Sequence, residues 1–192
     1  LALLDENLKD FEADALSLQV LANTHIAQKN YDAAFTTYGR MSDSVAVLTG
    51  QSLVAHLDGA EQKALELAQQ AKAFSPKDSL QSIQASERYV QALIWNQKFK
   101  TARKTLDSLD QVYGNAPRIL ALKASLGMYT GTFKTSIAHY QSILEQDSTS
   151  FDGNLGIANA YRAQGNLDKA HAFAQKTTEY YEGQKDRDYT HI

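Results

Sequence analysis

The sequence contains no cysteine, which excludes disulfides, thiolate nucleophiles and zinc–thiolate sites together. Its 192 residues hold two prolines, Pro76 and Pro117, so helices meet few obligatory breaks. No apolar run approaches the ~20 residues that a membrane-spanning helix needs, and no direct membrane insertion is expected. Excess positive charge is missing as well. A net charge of −3 and a pI near 5.9 leave no broad basic face for sequence-independent binding of nucleic acid. The five histidines, His25, His56, His139, His171 and His191, are scattered, with no HExxH, HxH or i,i+4 pair to hold a metal. Neither a glycine-rich phosphate loop nor a Gly-x-Ser-x-Gly elbow occurs. Carboxylate pairs such as Asp107 with Asp110, or Asp5 with Glu6, read as solvated faces, and no nucleophile–base–orienter set assembles. The expectation is a non-catalytic chain with no cofactor and no metal.

What is present favours helix. Ala, Leu, Gln, Lys and Glu dominate long stretches, and these are good helix formers. With β-branched clusters scarce, an all-α fold is expected, and a hydrophobic fraction of 43% with a mean hydropathy of −0.41 fits a soluble, folded protein.

The chain is also periodic. Near its C-terminus stand Ala158, Tyr161, Gly165, Asn166, Leu167 and Ala170, a small residue and a Tyr followed by a glycine turn and another Ala. Stepping back 34 residues from Ala170 reaches Ser136, preceded by Gly131-Thr132-Phe133, and a second such step reaches Ala102, preceded by Gln97-Lys98-Phe99. Ala64 and Ala34 continue the series with steps of 38 and 30 residues. Repetition at this period signals a stacked helical-repeat architecture, because one unit cannot bury its own apolar face. The long step places extra residues in Ser75-Pro76-Lys77-Asp78-Ser79, and the short one implies a tight link around Ser42-Asp43-Ser44, any of which can cap the next helix.

In these residues the sequence resembles the tetratricopeptide repeat (TPR) family over nearly its whole length. With units starting at Ala15, Val45, Ile83, Pro117 and Phe151, the small position 8 reads Ala22, Ser52, Val90, Ala124 and Ala158. Position 20 reads Ala34, Ala64, Ala102, Ser136 and Ala170, and position 24 reads Tyr38, Ala68, Leu106, Tyr140 and Ala174. Small side chains at 8 and 20 let the two helices of a unit approach closely. Departures fall at position 7, where Gln51 and Lys123 replace the usual Leu, and at position 11, where Ala55, Leu93 and Gly127 replace the usual Tyr. His25 takes that Tyr position in the first unit and reads as a packing residue. His139 and His171 fall on second helices and read as solvated.

The resemblance implies a single domain over residues 1–192, a right-handed superhelical solenoid of about 10–11 antiparallel helices. Residues 1–9, with Leu1, Leu4 and Leu8 at helical spacing, read as the second helix of an earlier unit, and residues 183–192 as a polar tail. The chain starts Leu-Ala-Leu-Leu-Asp-Glu, without an initiator Met, and reads as a piece of a longer protein, leaving cytoplasm and periplasm equally open. Exposed end helices would allow self-association.

In TPR-like arrays the first helix of each unit lines the concave groove. By that resemblance the groove residues are Arg88, Gln91, Trp95, Arg118, Ser125, Tyr129, Asn159 and Arg162, extended toward the N-terminus by Asn23 and His56. Aromatic and Arg side chains combine area, rigidity and multidentate hydrogen bonding, as binding surfaces require. Trp95 reads equally well as packing between units. The family's carboxylate clamp is incomplete here, since Gln19, Asn23, Gly50 and Leu53 occupy the matching slots. Gly156, also at a groove position, leaves room either for a ligand backbone or for close packing of units. The implied function is a protein-interaction scaffold holding a peptide or helical segment. The alternative is the structural or periplasmic TPR portion of a bacterial envelope export or assembly protein. A third reading, the regulatory repeat domain of an enzyme, needs sequence outside this chain.

Overall fold

The computed structural model describes residues 14–76 and 79–188, with side chains described as far as residue 179. Among these the backbone forms ten α-helices and no strand. They are α1 (Ala15–Ala27), α2 (Tyr31–Tyr38), α3 (Ser44–Leu57), α4 (Glu61–Phe74), α5 (Leu80–Trp95), α6 (Phe99–Tyr113), α7 (Pro117–Tyr129), α8 (Phe133–Gln146), α9 (Phe151–Ala163) and α10 (Leu167–Asp188). The expected helix over residues 1–9 lies outside the described residues. Helix α10 takes in 183–188 of the polar C-terminal stretch, and 189–192 lie outside the described residues. Two compact units divide the chain, residues 1–98 with α1–α5 and residues 99–192 with α6–α10.

Local chemistry sets the helix ends. Asp14, Asn30, Asp43, Ser79 and Ser150 each accept a hydrogen bond from a first-turn amide of the following helix, and Pro117 opens α7 where its missing N–H costs nothing. Within each repeat the two helices are joined through a residue with positive φ: Lys29, Gly59, Gln97, Gly131 and Gly165. All five fall at the same register position, so Lys29 and Gln97 bear a left-handed strain that glycine relieves in the other three.

The two irregular steps are absorbed differently from the sequence expectation. The 30-residue step shortens a helix rather than a link, since α2 has only 8 residues against 14 in α4 and α8. The 38-residue step adds to one, since α5 starts at Leu80, three residues ahead of the register start at Ile83, and runs for 16. Ser79 makes this favourable by accepting the Ser82 amide at 3.1 Å. Each slip is four residues, about one helical turn, so the buried face is kept in phase.

Packing follows the register. Ala22, Ala34, Ala64, Ala102 and Ala124 are fully buried at the small positions. Two serines stand in for alanine there, and each spans its helix pair. Ser52 Oγ donates to the Ala64 carbonyl at 2.8 Å, and Ser136 Oγ donates to the Ala124 carbonyl at 2.8 Å. The polar departures at position 7 find partners on the preceding second helix. Gln51 Nε2 donates to the Phe35 carbonyl at 3.2 Å, and Lys123 Nζ pairs with Asp110 at 2.6 Å. A β-carbon on Gly50 would lie 2.2 Å from the Tyr38 ring, and one on Gly156 2.4 Å from the Tyr140 ring. Close packing therefore accounts for both glycines, since each receives a tyrosine from the preceding repeat.

Candidate functional site

In the first unit the side chains of α3 and α5 meet in a polar and aromatic cluster. The last turn of α3 carries His56, whose ring stacks on Trp95 of α5 at 3.7 Å between centroids and 3° between planes. Such a stack contributes about 0.5–1.5 kcal/mol beyond buried area. Glu61, in the first turn of α4, holds the imidazole from its edge, with Nδ1 2.8 and 2.9 Å from the two carboxylate oxygens. A carboxylate only accepts, so Nδ1 carries the proton and the ring cannot rotate freely. Asn96 closes the end of the face by donating to the Glu61 carbonyl at 2.7 Å. Trp95 is thus pre-set by neighbours on two helices.

Arg88 lies two turns before Trp95 on α5. Its Nη1 donates to Gln91 Oε1 at 2.9 Å, and its Cζ stands 5.8 Å from the Trp95 centroid, within cation–π range. Burial lowers its guanidinium, while Tyr38 and Glu87 favour the charged form. Its Nε is buried without a hydrogen-bond partner among the described residues. Tyr38, 5% exposed, reaches past Gly50 so that its hydroxyl donates to Asn23 Oδ1 at 3.2 Å. Burial raises the Tyr38 phenol, with Arg88 opposing.

Arg88, Gln91 and Trp95 thus come together, with His56 beside them and Asn23 joined through Tyr38. In the second unit, Arg118, Tyr129 and Arg162 are exposed, while Ser125 and Asn159 are half-buried. Ser125, Tyr129, Asn159 and Arg162 make no hydrogen bond or ring contact with one another. Sequence reasoning did not include Tyr38, Glu61 and Asn96. A signal for Tyr38 was present, because an aromatic at position 24 precedes glycine at position 6 of the next repeat, at Tyr38–Gly50 and again at Tyr140–Gly156. One expectation is corrected. His139 is half-buried rather than solvated, and burial together with Lys123 lowers its imidazole despite the opposing Asp110. Helix α8 turns it toward the Lys123–Asp110 pair instead of toward water.

Among the described residues no group of His, Asp and Glu is arranged to hold a metal ion, and no helix is long and apolar enough to cross a membrane. No family model and no curated protein sequence matches the chain. Solved structures do. A thermophilic TPR protein of Thermus thermophilus is 18% identical, with 89% of this chain and 93% of that one covered and a TM-score of 0.70. A tetratricopeptide repeat protein of Parabacteroides merdae is 17% identical over 92% of this chain and 70% of that one, with a TM-score of 0.65. MamA of Desulfovibrio magneticus RS-1 is 14% identical over 91% and 99%, with a TM-score of 0.54. The fold is an all-helical repeat of the TPR type.

Proposed function

We propose that the chain is a non-catalytic protein-interaction scaffold that holds a peptide or helical segment against its first-helix faces. The observation carrying this reading is Arg88, a half-buried guanidinium beside a tryptophan already fixed by His56 and Glu61. A face pre-organised in this way loses little side-chain entropy on binding, and Arg with Trp is the residue pair that dominates binding surfaces. The acceptor best suited to Arg88 is a carboxylate, through charge-assisted hydrogen bonds. Acidic side chains or a chain terminus supply it. In the second unit Arg118, Ser125, Tyr129, Asn159 and Arg162 offer a further first-helix surface.

Selection of a random peptide library on the immobilised chain tests this. Enriched peptides are expected to carry a carboxylate near an apolar residue, and to be lost when the selection is repeated on Arg88→Gln. Enrichment of the same peptides on the variant would overturn the assignment of the face.

A further inference from the structure

A cavity of about 350 Å³ lies in the second unit among α6, α7 and α8, lined by Leu106, Leu126, Gly127, Thr135, His139 and Arg103 among others. Gly127, one of its lining residues, stands at position 11, where the family pattern has Tyr. The final repeat carries the Tyr that this one lacks. There Tyr161 occupies position 11, its ring 6.0 Å from Phe173 and 5.2 Å below Lys169 Nζ. The residues equivalent to Phe173 and Lys169 are His139 and Thr135. The cavity therefore keeps an aromatic wall in His139, and Arg103 supplies a cation from the preceding helix.

Its charges balance. Arg103 and Lys123 are offset by Asp107, which lines the cavity, and by Asp110, which pairs with Lys123. Burial keeps His139 toward its neutral form. These features favour a neutral ring with a polar atom over a phosphate or a free carboxylate. The size is sufficient, since a cavity of ~150 Å³ holds benzene and small-molecule pockets start near ~300 Å³. A second cavity at the equivalent place in the first unit, beside Ala55, differs because its lysine, Lys63, already stands 4.3 Å over Phe35.

We infer that the cavity beside Gly127 is a binding site for a phenol-type ring, seated between His139 and Thr135 with its hydroxyl toward Arg103. The ring is either the side chain of a tyrosine on a partner or a free phenol. Titration of the full chain with p-cresol, followed by NMR at the Gly127 amide and the His139 ring, tests this. Saturable shifts at both are expected, with toluene binding at least 5-fold more weakly. Thr135→Trp, which fills the cavity from an exposed position, should abolish saturation, and Arg103→Ala should erase the preference for p-cresol over toluene. A tyrosine peptide that displaces p-cresol identifies a partner side chain as the source, and binding of p-cresol alone identifies a free phenol. Absence of saturable shifts, shifts unchanged in Thr135→Trp, or toluene binding as well as p-cresol would each overturn the site.

Discussion

Gly50→Ala adds one methyl group to α3, a change that ordinarily strengthens a helix by about 1 kcal/mol. Here it should do the opposite. The new carbon would lie 2.2, 2.4 and 2.6 Å from three atoms of the Tyr38 ring, so the ring must move by more than 1 Å to restore ordinary carbon contact at about 3.5–4.0 Å. It has little room, being 5% exposed and packed with Ala22, Ala34 and Val54. Overpacking costs about 1–3 kcal/mol, and Asn23 loses the Tyr38 hydroxyl bond as well. With the lost hydrogen bond of about 0.5–1.5 kcal/mol added and the helix gain of about 1 kcal/mol subtracted, a net loss of about 0.5–3.5 kcal/mol follows. Trp95 is the only tryptophan and lies in the same unit, so its fluorescence in a urea titration reports this loss directly. In a Tyr38→Ala background the ring is gone, and Gly50→Ala should then be neutral or stabilising. Additive effects in this double-mutant cycle would refute the steric account.

Three further outcomes follow from single contacts. Gly127→Ala places a carbon 2.3 Å from Ser136 Oγ and should cost about 1–3 kcal/mol, yet in a Ser136→Ala background it should cost nothing, as urea denaturation followed by circular dichroism would show. Gln97→Gly relieves a φ of 57° and should raise stability by about 0.5–1 kcal/mol; a lower urea midpoint would contradict the left-handed turn. Because His139 is lowered in the folded chain, the unfolded chain takes up a proton first as pH falls below the ordinary value of 6.5, and stability drops through that window. His139→Gln should flatten the slope of stability between pH 7 and 5.5, whereas the lowered carboxylates Asp14, Asp43 and Asp147 act only near pH 4 and below.

Much of the fold was legible because its determinants are local. Small residues at positions 8 and 20, turn residues at position 15 and capping side chains repeat in register, and each imposes its geometry without reference to distant contacts. The slips were located less well. The step shortened by four residues at α2 and the turn added to α5 preserve the helical phase, so the hydrophobic pattern shows that the spacing changed but not whether a helix or a link absorbed it. At the candidate site, Arg88, Gln91 and Trp95 were reachable from register alone. Their supports were not, because Glu61 and Asn96 act across helices, on the His56 ring and on a backbone carbonyl. His139 was misread for a related reason. Its surroundings include Lys123 and Asp110 from other helices, a placement that appears only once α6, α7 and α8 pack.

The claim at the centre of this account is that Arg88 offers a pre-organised cationic contact to a partner carboxylate. Isothermal titration of a library-selected acidic peptide against the parent chain, Arg88→Lys and Arg88→Gln measures it directly. A charge-assisted bond of about 1.5–3 kcal/mol predicts roughly 10- to 150-fold weaker binding for Arg88→Gln, with an intermediate loss for Arg88→Lys, which keeps the charge without the fork. Equal affinity for all three chains, at a temperature where each is folded, would contradict the account.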